Sequence, residues 1–251
     1  MKIFNGNCLD LLDQTFECAM IFADPPDNLG LMYDEYKDKL PKNLYYNFLY
    51  EVLQKSLRHT PCLWFSYYWE HDIEIKYMIR NLLKYERPTY SAKTFVWRYT
   101  FGQHKSTDFG SGFRFLVRLH NSRATFNADS VHVTSERQRI GDSRANPDGR
   151  VPDDVWDYPA IFDHPRVVGN AKERRPWHPT QHPEDLISRI LRMHTDAGHL
   201  VVDLFGGTGT TLRVAKRLGR DAVISEISPN YCKAISAETD VEITTNPVDI
   251  F

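Results

Sequence analysis

Two short segments of this 251-residue sequence combine residue types that chemistry can use. The first is Val201–Thr211, VVDLFGGTGTT, an apolar run that breaks into a glycine turn and then a helix start. Glu226 follows 19 positions after Gly207, at the end of the next apolar run. A strand, a glycine turn and a carboxylate at the next strand end are the parts of a nucleoside site. The glycines let the backbone approach the ligand, and the carboxylate holds ribose hydroxyls. No Gly-Lys-Ser/Thr follows, which excludes a phosphate-binding P-loop, and the spacing departs from GxGxxG, which disfavours NAD. The second segment is Asp24-Pro25-Pro26, which ends the apolar run Cys18 to Ala23. Two prolines end the strand, so Asp24 sits at its C-terminal tip as an oriented acceptor. The exocyclic amino group of a nucleobase is a poor nucleophile because its lone pair is delocalised into the ring. Accepting its N–H bonds at Asp24 and at the rigid carbonyl of Pro25 would push that nitrogen toward a nucleophilic geometry. Taken alone, either segment also reads as a plain turn.

The surrounding pattern supplies the elements these segments need. Asn43 to Leu57 is amphipathic and helical, with Leu44, Phe48, Leu49, Val52 and Leu53 on one side. Cys62 to Tyr68 reads as a strand, followed by a helix from about Glu70 to Lys84. Phe95 to Tyr99 and Phe113 to His120 read as paired strands. Asp185 to His194 is helical, and Leu200 to Leu204 is a strand with a helix from about Thr211 to Leu218 after its turn. Ala222 to Ser225 is the next strand, and Asn230 to Ala237 the next helix. Strands alternating with helices predict an α/β, doubly wound sheet. From Asn121 to about Ala171 the sequence is polar, rich in Arg, Asp, Asn and Pro, and weakly periodic. That stretch reads as a disordered insertion or a loop-rich recognition subdomain.

Composition is that of one large globular domain or one domain with an insertion: 41% hydrophobic, 25% charged and a formal charge of −2. The window 84–150 carries 12 Lys+Arg against 6 Asp+Glu, a local +6 hidden in a near-neutral total. Such a stretch is either a solvated face or a nucleic-acid-facing one. No apolar run is long enough to span a membrane, and the start shows no signal-peptide segment, so a cytoplasmic protein is expected. Cys8, Cys18, Cys62 and Cys232 form no CxxC pair. His178 and His182 are four apart but each precedes a proline, which breaks the helical face a zinc pair needs, so no metal site is expected.

Asp24-Pro25-Pro26-Asp27-Asn28-Leu29-Gly30 resembles DPPYNxG, the catalytic motif of amino-directed DNA methyltransferases. Asn5-Gly6-Asn7-Cys8-Leu9 is similar to that family's GDCL segment. Val155-Trp156-Asp157-Tyr158-Pro159 with Gly169-Asn170, then His178-Pro179-Thr180-Gln181-His182-Pro183, resembles its DVW…P…HPTQKP run. The order, catalytic motif first and glycine loop last, is that of the permuted β class. The resemblance spans almost the whole chain. It implies a circularly permuted, Rossmann-like methyltransferase fold, with the catalytic and cofactor domain in 1–120 and 171–251 and an inserted target-recognition region in 121–170.

It further implies methyl transfer from S-adenosylmethionine to a base amino group in DNA, with the base flipped out or single-stranded. Carried over by position, Asp24, Pro25, Pro26 and Asp27 are the catalytic residues. Cofactor contacts fall to Asn7, Asp24, Thr180, Asp203, Phe205, Gly207, Gly209, Thr210 and Glu226, with Glu226 on the ribose and Asn7 where an Asp usually faces the adenine. Arg98, Lys105, Arg114, Arg123, Arg137, Arg139 and Arg144 are the candidate DNA contacts. Asp at the first catalytic position goes with adenine N6, Ser with cytosine N4, so adenine is expected and cytosine is the alternative. A homodimer and a cognate restriction endonuclease are partners the resemblance allows. Two positions depart from the pattern. His182 replaces the usual Lys. Asp27 replaces the aromatic that stacks on the flipped base, a contact worth roughly 1–3 kcal/mol. Its loss weakens base capture and a carboxylate there repels phosphates, which leaves a DNA-binding member without turnover as a further alternative. Tyr33, Tyr36, Tyr67, Tyr68 and Trp69 are the candidates for a replacement platform.

Overall fold

A computed structural model describes residues 1–99, 106–157, 167 and 171–251. Among the described residues nine strands form one sheet: β1 (Lys2–Asn5), β2 (Met20–Ala23), β3 (Cys62–Tyr67), β4 (Ser91–Arg98), β5 (Phe113–His120), β6 (Val155–Asp157), β7 (Leu200–Asp203), β8 (Asp221–Glu226) and β9 (Ile243–Thr244). Their order across the sheet is β6-β4-β5-β3-β2-β7-β8-β1-β9. β5 alone runs antiparallel to its neighbours, in register Ser66↔Leu116 with β3 and Trp97↔Arg114 with β4. β2 and β7 lie side by side and parallel, with Ile21 opposite Val202 and Phe22 opposite Asp203. The two segments singled out in the sequence therefore leave the same end of the sheet from adjacent strands, where ligands of open α/β sheets bind.

The period-2 alternation of the strands feeds two cores. One face gathers Ile21, Leu63, Phe65 and Val202 under α1 (Cys8–Leu12), α2 (Lys42–Ser56) and α3 (Asp72–Tyr85). On the other, Met20, Phe22, Trp64 and Val201 pack against α5 (Glu184–His194), α6 (Thr210–Arg217) and α7 (Pro229–Thr239). This is the expected doubly wound, three-layer arrangement. The central strands β2 and β3 are buried along their whole length, which is why they read as near-continuous apolar runs, broken only by Ser66. None of the described helices is long and apolar enough to cross a membrane.

The polar stretch after Asn121 is folded onto this body over its described part. It holds a 3-10 turn (Ala128–Val131), α4 (Glu136–Arg139) with a Ser135/Gln138 capping box, and β6. β6 extends the sheet beside β4, and Trp156 is buried against Trp64 and Phe95. Asn127 anchors the stretch to the end of α5, its N–H donating to the Met193 carbonyl at 2.8 Å. Disorder is therefore not what low periodicity meant here: the segment is held by a few long-range contacts that carry no sequence period. Residues 158–166 and 168–170, with Tyr158, Pro159, Gly169 and Asn170 of the quoted motif, lie outside the described residues.

Candidate active site

The glycine turn is shaped by two left-handed backbones. Gly207 has φ +51° and Gly209 φ +74°, conformations that strain any side chain with a Cβ. The Gly207 N–H donates to Glu226 Oε2 at 2.8 Å, and the Ser228 N–H to Oε1, also at 2.8 Å. Burial nonetheless dominates and pushes the Glu226 carboxyl up to about 7. Asp203, at the end of β7, accepts from the Phe205 N–H at 3.0 Å and the Thr211 hydroxyl at 2.5 Å. Its carboxyl too is pushed up to about 7 by burial. Asn7 caps α1 by accepting from the Leu9 N–H at 3.0 Å.

A single cavity of about 690 Å³ joins this turn to the Asp24-Pro25-Pro26 tip. Of the sequence-nominated cofactor residues, Asn7, Asp24, Thr180, Asp203, Phe205, Gly207, Thr210 and Glu226 line it. Gly209 does not. A Cβ there would come within 2.7 Å of Ile235 Cγ2, so this glycine lets α6 start against α7 rather than facing a ligand. Two buried groups that the sequence reading had not placed, His178 and Ser228, complete this wall. His178 meets Tyr231 edge to face, ring centroids 4.9 Å apart, and burial lowers its basicity.

The Asp24 tip is held by a cation from across the sheet. Arg114, on β5, donates from Nη2 to Asp24 Oδ1 at 2.7 Å and from its two terminal nitrogens to both oxygens of Asp27, at 2.5 and 2.9 Å. Its Nε donates to Ser66 Oγ at 2.5 Å. The other Asp24 oxygen lies 3.2 Å from His182 Nδ1. Burial pushes the Asp24 carboxyl up, but Arg114 and then His182 outweigh it and hold it below the ordinary aspartate range. Burial is the chief cause that lowers the basicity of His182 itself. The three charges Asp24, Arg114 and Asp27 thus sum to one negative charge, what a lone aspartate at the tip would present.

This arrangement corrects two expectations. Arg114 is turned inward, its side chain only 12% exposed, and its charge is spent on Asp24 and Asp27 rather than on a phosphate. Asp27, 14% exposed and paired, presents no bare carboxylate to repel phosphates. Among the candidate platforms, Tyr67 is buried and donates to Asp72, whereas Tyr33, Tyr36 and Tyr68 line the cavity. Trp69 is partly exposed and donates with Tyr68 to Ser111 Oγ. Trp97 is buried in the core yet also reaches the cavity beside His182.

The remaining described basic candidates lie outside the cavity. Arg98 pairs with Asp157 at 3.3 Å, Arg139 with Glu136 at 3.5 Å, and Arg144 forks onto Asp142 at 2.8 and 3.0 Å. Arg123 and Arg137 are exposed. Lys105 lies outside the described residues.

Comparison with known proteins agrees with this geometry. A family model described as DNA methylase matches residues 18–238. The chain is 30% identical over 225 residues to the Type II methyltransferase M.HpaI of Haemophilus parainfluenzae, covering 89% of this chain and 68% of that protein. It is 29% identical over 236 residues to the DNA adenine methyltransferase YhdJ of Escherichia coli (strain K12), covering 88% and 76%. Among solved structures, the M1.HpyAVI-SAM complex superposes with a TM-score of 0.64 at 17% identity, over 96% of this chain and 99% of that one. The cytosine-N4-specific PvuII DNA methyltransferase gives 0.63 at 15%, over 97% and 94%.

Proposed function

Because this chain belongs to the N6/N4 DNA methylase family, we propose that it transfers the methyl group of S-adenosylmethionine to the exocyclic N6 of adenine in DNA. One observation carries the reading: the glycine turn with Glu226 and the Asp24-Pro25-Pro26 tip open into the same cavity from adjacent strands. Its volume of about 690 Å³ is within the range of sites for cofactor-sized ligands. The donor set fits a nucleoside cofactor, with a buried carboxylate for ribose hydroxyls, a glycine backbone, and the Phe205 ring. When bound, S-adenosylmethionine supplies a methyl group on a sulfonium, and its departure leaves a neutral thioether. Glu226 accepts from the ribose hydroxyls, and Asn7, Phe205 and Gly207 line the nucleoside end. Asp24 and the Pro25 carbonyl accept the two amino N–H bonds of the target base, freeing its lone pair for in-line attack. Held ionised by Arg114 and His182, Asp24 orients the amino group rather than acting as a strong base. The extra proton leaves the amine after transfer, toward solvent.

Adenine rather than cytosine is supported by Asp at the first motif position and by the likeness to an adenine methyltransferase. The DNA target is flipped or single-stranded at the moment of reaction. The exposed Arg123 and Arg137, with Arg98, Arg139 and Arg144, are the proposed backbone contacts. A bacterial or phage-infected cytoplasm is the setting such relatives suggest, with a homodimer and a paired restriction endonuclease as proposed partners. Nucleoside mass spectrometry on DNA from a methylation-free host expressing the chain, beside Asp24→Ala, tests the reading. N6-methyladenine that vanishes in the variant supports it. N4-methylcytosine overturns the base assignment, and no modified base with intact cofactor binding overturns the enzymatic reading.

A further inference from the structure

We propose that the guanidinium face of Arg114, pinned by Asp27, Asp24 and Ser66, is the platform on which the extruded target base stacks. This rests on the methyltransferase reading above. A guanidinium has five N–H donors, all lying in its plane. Four of the bonds they make are to protein: Nε to Ser66 Oγ, Nη1 to Asp27 Oδ2, and Nη2 to Asp27 Oδ1 and Asp24 Oδ1. The edge that would otherwise fork onto a phosphate is therefore occupied by two carboxylates, and the net charge of the three groups is negative. Besides one N–H of Nη1, what Arg114 has left to offer the cavity it lines is the flat face of its guanidinium. Bases stack on arginine planes as they do on aromatic rings.

Position fixes the ligand. Arg114 Nη2 is 2.7 Å from the Asp24 oxygen, so a base whose amino group reaches Asp24 has its ring within contact distance of the guanidinium. Asp27 occupies the place of the missing aromatic, but it acts through Arg114: its carboxylate takes both terminal nitrogens and sets the plane. Asp27 is thus a positioning residue, and the pair replaces one aromatic side chain. Tyr68, Trp97 and Tyr99 line the same end of the cavity and close it around the base.

The test first identifies the modified site by sequencing DNA methylated by the parent protein. An oligonucleotide carrying that site, with 2-aminopurine for a target adenine or pyrrolocytosine for a target cytosine, then reports extrusion by fluorescence. Arg114→Lys keeps the charge and loses the plane. It is expected to cut the extrusion signal and raise KM for DNA about tenfold or more, with the S-adenosylmethionine affinity of the folded protein close to the parent's. Asp27→Tyr alone is expected to lose extrusion, because Arg114 is left displaced beneath the new ring. Asp27→Tyr with Arg114→Leu is expected to recover it. Parent-like extrusion and KM in Arg114→Lys overturn the proposal, as does a double variant no better than Asp27→Tyr. If Arg114→Lys does not fold, the comparison of Asp27→Tyr with the double variant decides. A parent that methylates no DNA overturns the methyltransferase reading, and this inference falls with it. A methylating parent with an indifferent Arg114→Lys overturns this inference alone.

Discussion

Arg114 and Asp27 meet as two parallel hydrogen bonds, Nη1 to Oδ2 at 2.5 Å and Nη2 to Oδ1 at 2.9 Å, between side chains 12% and 14% exposed. Paired charges at this depth are stable as a unit and costly when separated. Removing one partner of such a pair costs about 3–5 kcal/mol, because the other charge is left without water or counter-charge. Asp27→Ala sits toward the lower end of that range, since Asp24 and Ser66 still receive Arg114. Arg114→Leu sits toward the upper end, since it strands two carboxylates. Denaturant unfolding of the two single variants and of Asp27→Ala/Arg114→Leu is expected to show a double variant well short of additivity. Additive losses would mean the two side chains do not depend on one another.

Asp24 gives a second prediction with a defined sign. Burial raises its carboxyl, but Arg114 and His182 lower it further, so the folded value is depressed. A depressed carboxyl contributes stability above its unfolded value, about 3.9, that is lost as pH falls through the folded one. Parent protein should therefore weaken on acidification below about pH 4, and Asp24→Asn should lose part of that acid dependence. At neutral pH Asp24→Asn is expected to slow methyl transfer on the order of 10²–10³-fold, the size of removing one oriented hydrogen-bonding group at a reacting centre. Its cofactor affinity should be close to the parent's. Unchanged turnover would remove Asp24 from the reaction.

The two glycines of the turn should separate in their effects. Gly209→Ala meets Ile235 Cγ2 at 2.7 Å in a backbone with φ +74°. Left-handed strain together with overpacking predicts a loss of about 2–4 kcal/mol. Calorimetry should find it less stable while the folded fraction binds cofactor as the parent does. Gly207→Ala, at φ +51° with its new Cβ 3.4 Å from the His178 ring, lines the cavity and should weaken cofactor binding as well as stability. Equal cofactor affinities for the two variants would contradict this division.

What the sequence made legible and what it hid divide along a physical line. Central strands and amphipathic helices are repetitive, so Cys62–Tyr67 and Glu184–His194 stand within a residue of their expected bounds. Short elements have too few residues for a period, and β1, α1, β6 and β9 went unseen. Asp24, Glu226 and Gly207 were readable because a strand end and a turn announce themselves locally. The Arg114 clamp was not, because it joins residues 87 and 90 positions apart through strand pairing that no local pattern encodes. Asp27 looked like a loss for the same reason: its partner lies on another strand.

Glu226 couples the cofactor end of the cavity to pH. Burial raises its carboxyl from 4.5 to about 7, so the folded protein holds a proton between those values that the unfolded chain has released. Folding stability contributed by this group therefore falls as pH rises from about 4.5 to about 7 and is level above. Asp203, raised to about 7 by burial, adds a slope of the same sign. Cofactor binding runs the other way. Ribose hydroxyls donate to an ionised carboxylate, so proton and cofactor compete, and affinity should weaken below pH 7 toward about tenfold per pH unit. Calorimetric titration of S-adenosylmethionine at pH 6, 7 and 8 should show this in the parent, and a weaker, flat profile in Glu226→Gln. Asp203→Asn should flatten part of the stability slope in the free protein while leaving the binding slope in place, because Asp203 spends its oxygens on the Phe205 N–H and the Thr211 hydroxyl. A binding slope that survives in Glu226→Gln and disappears in Asp203→Asn would transfer the ribose contact from one carboxylate to the other.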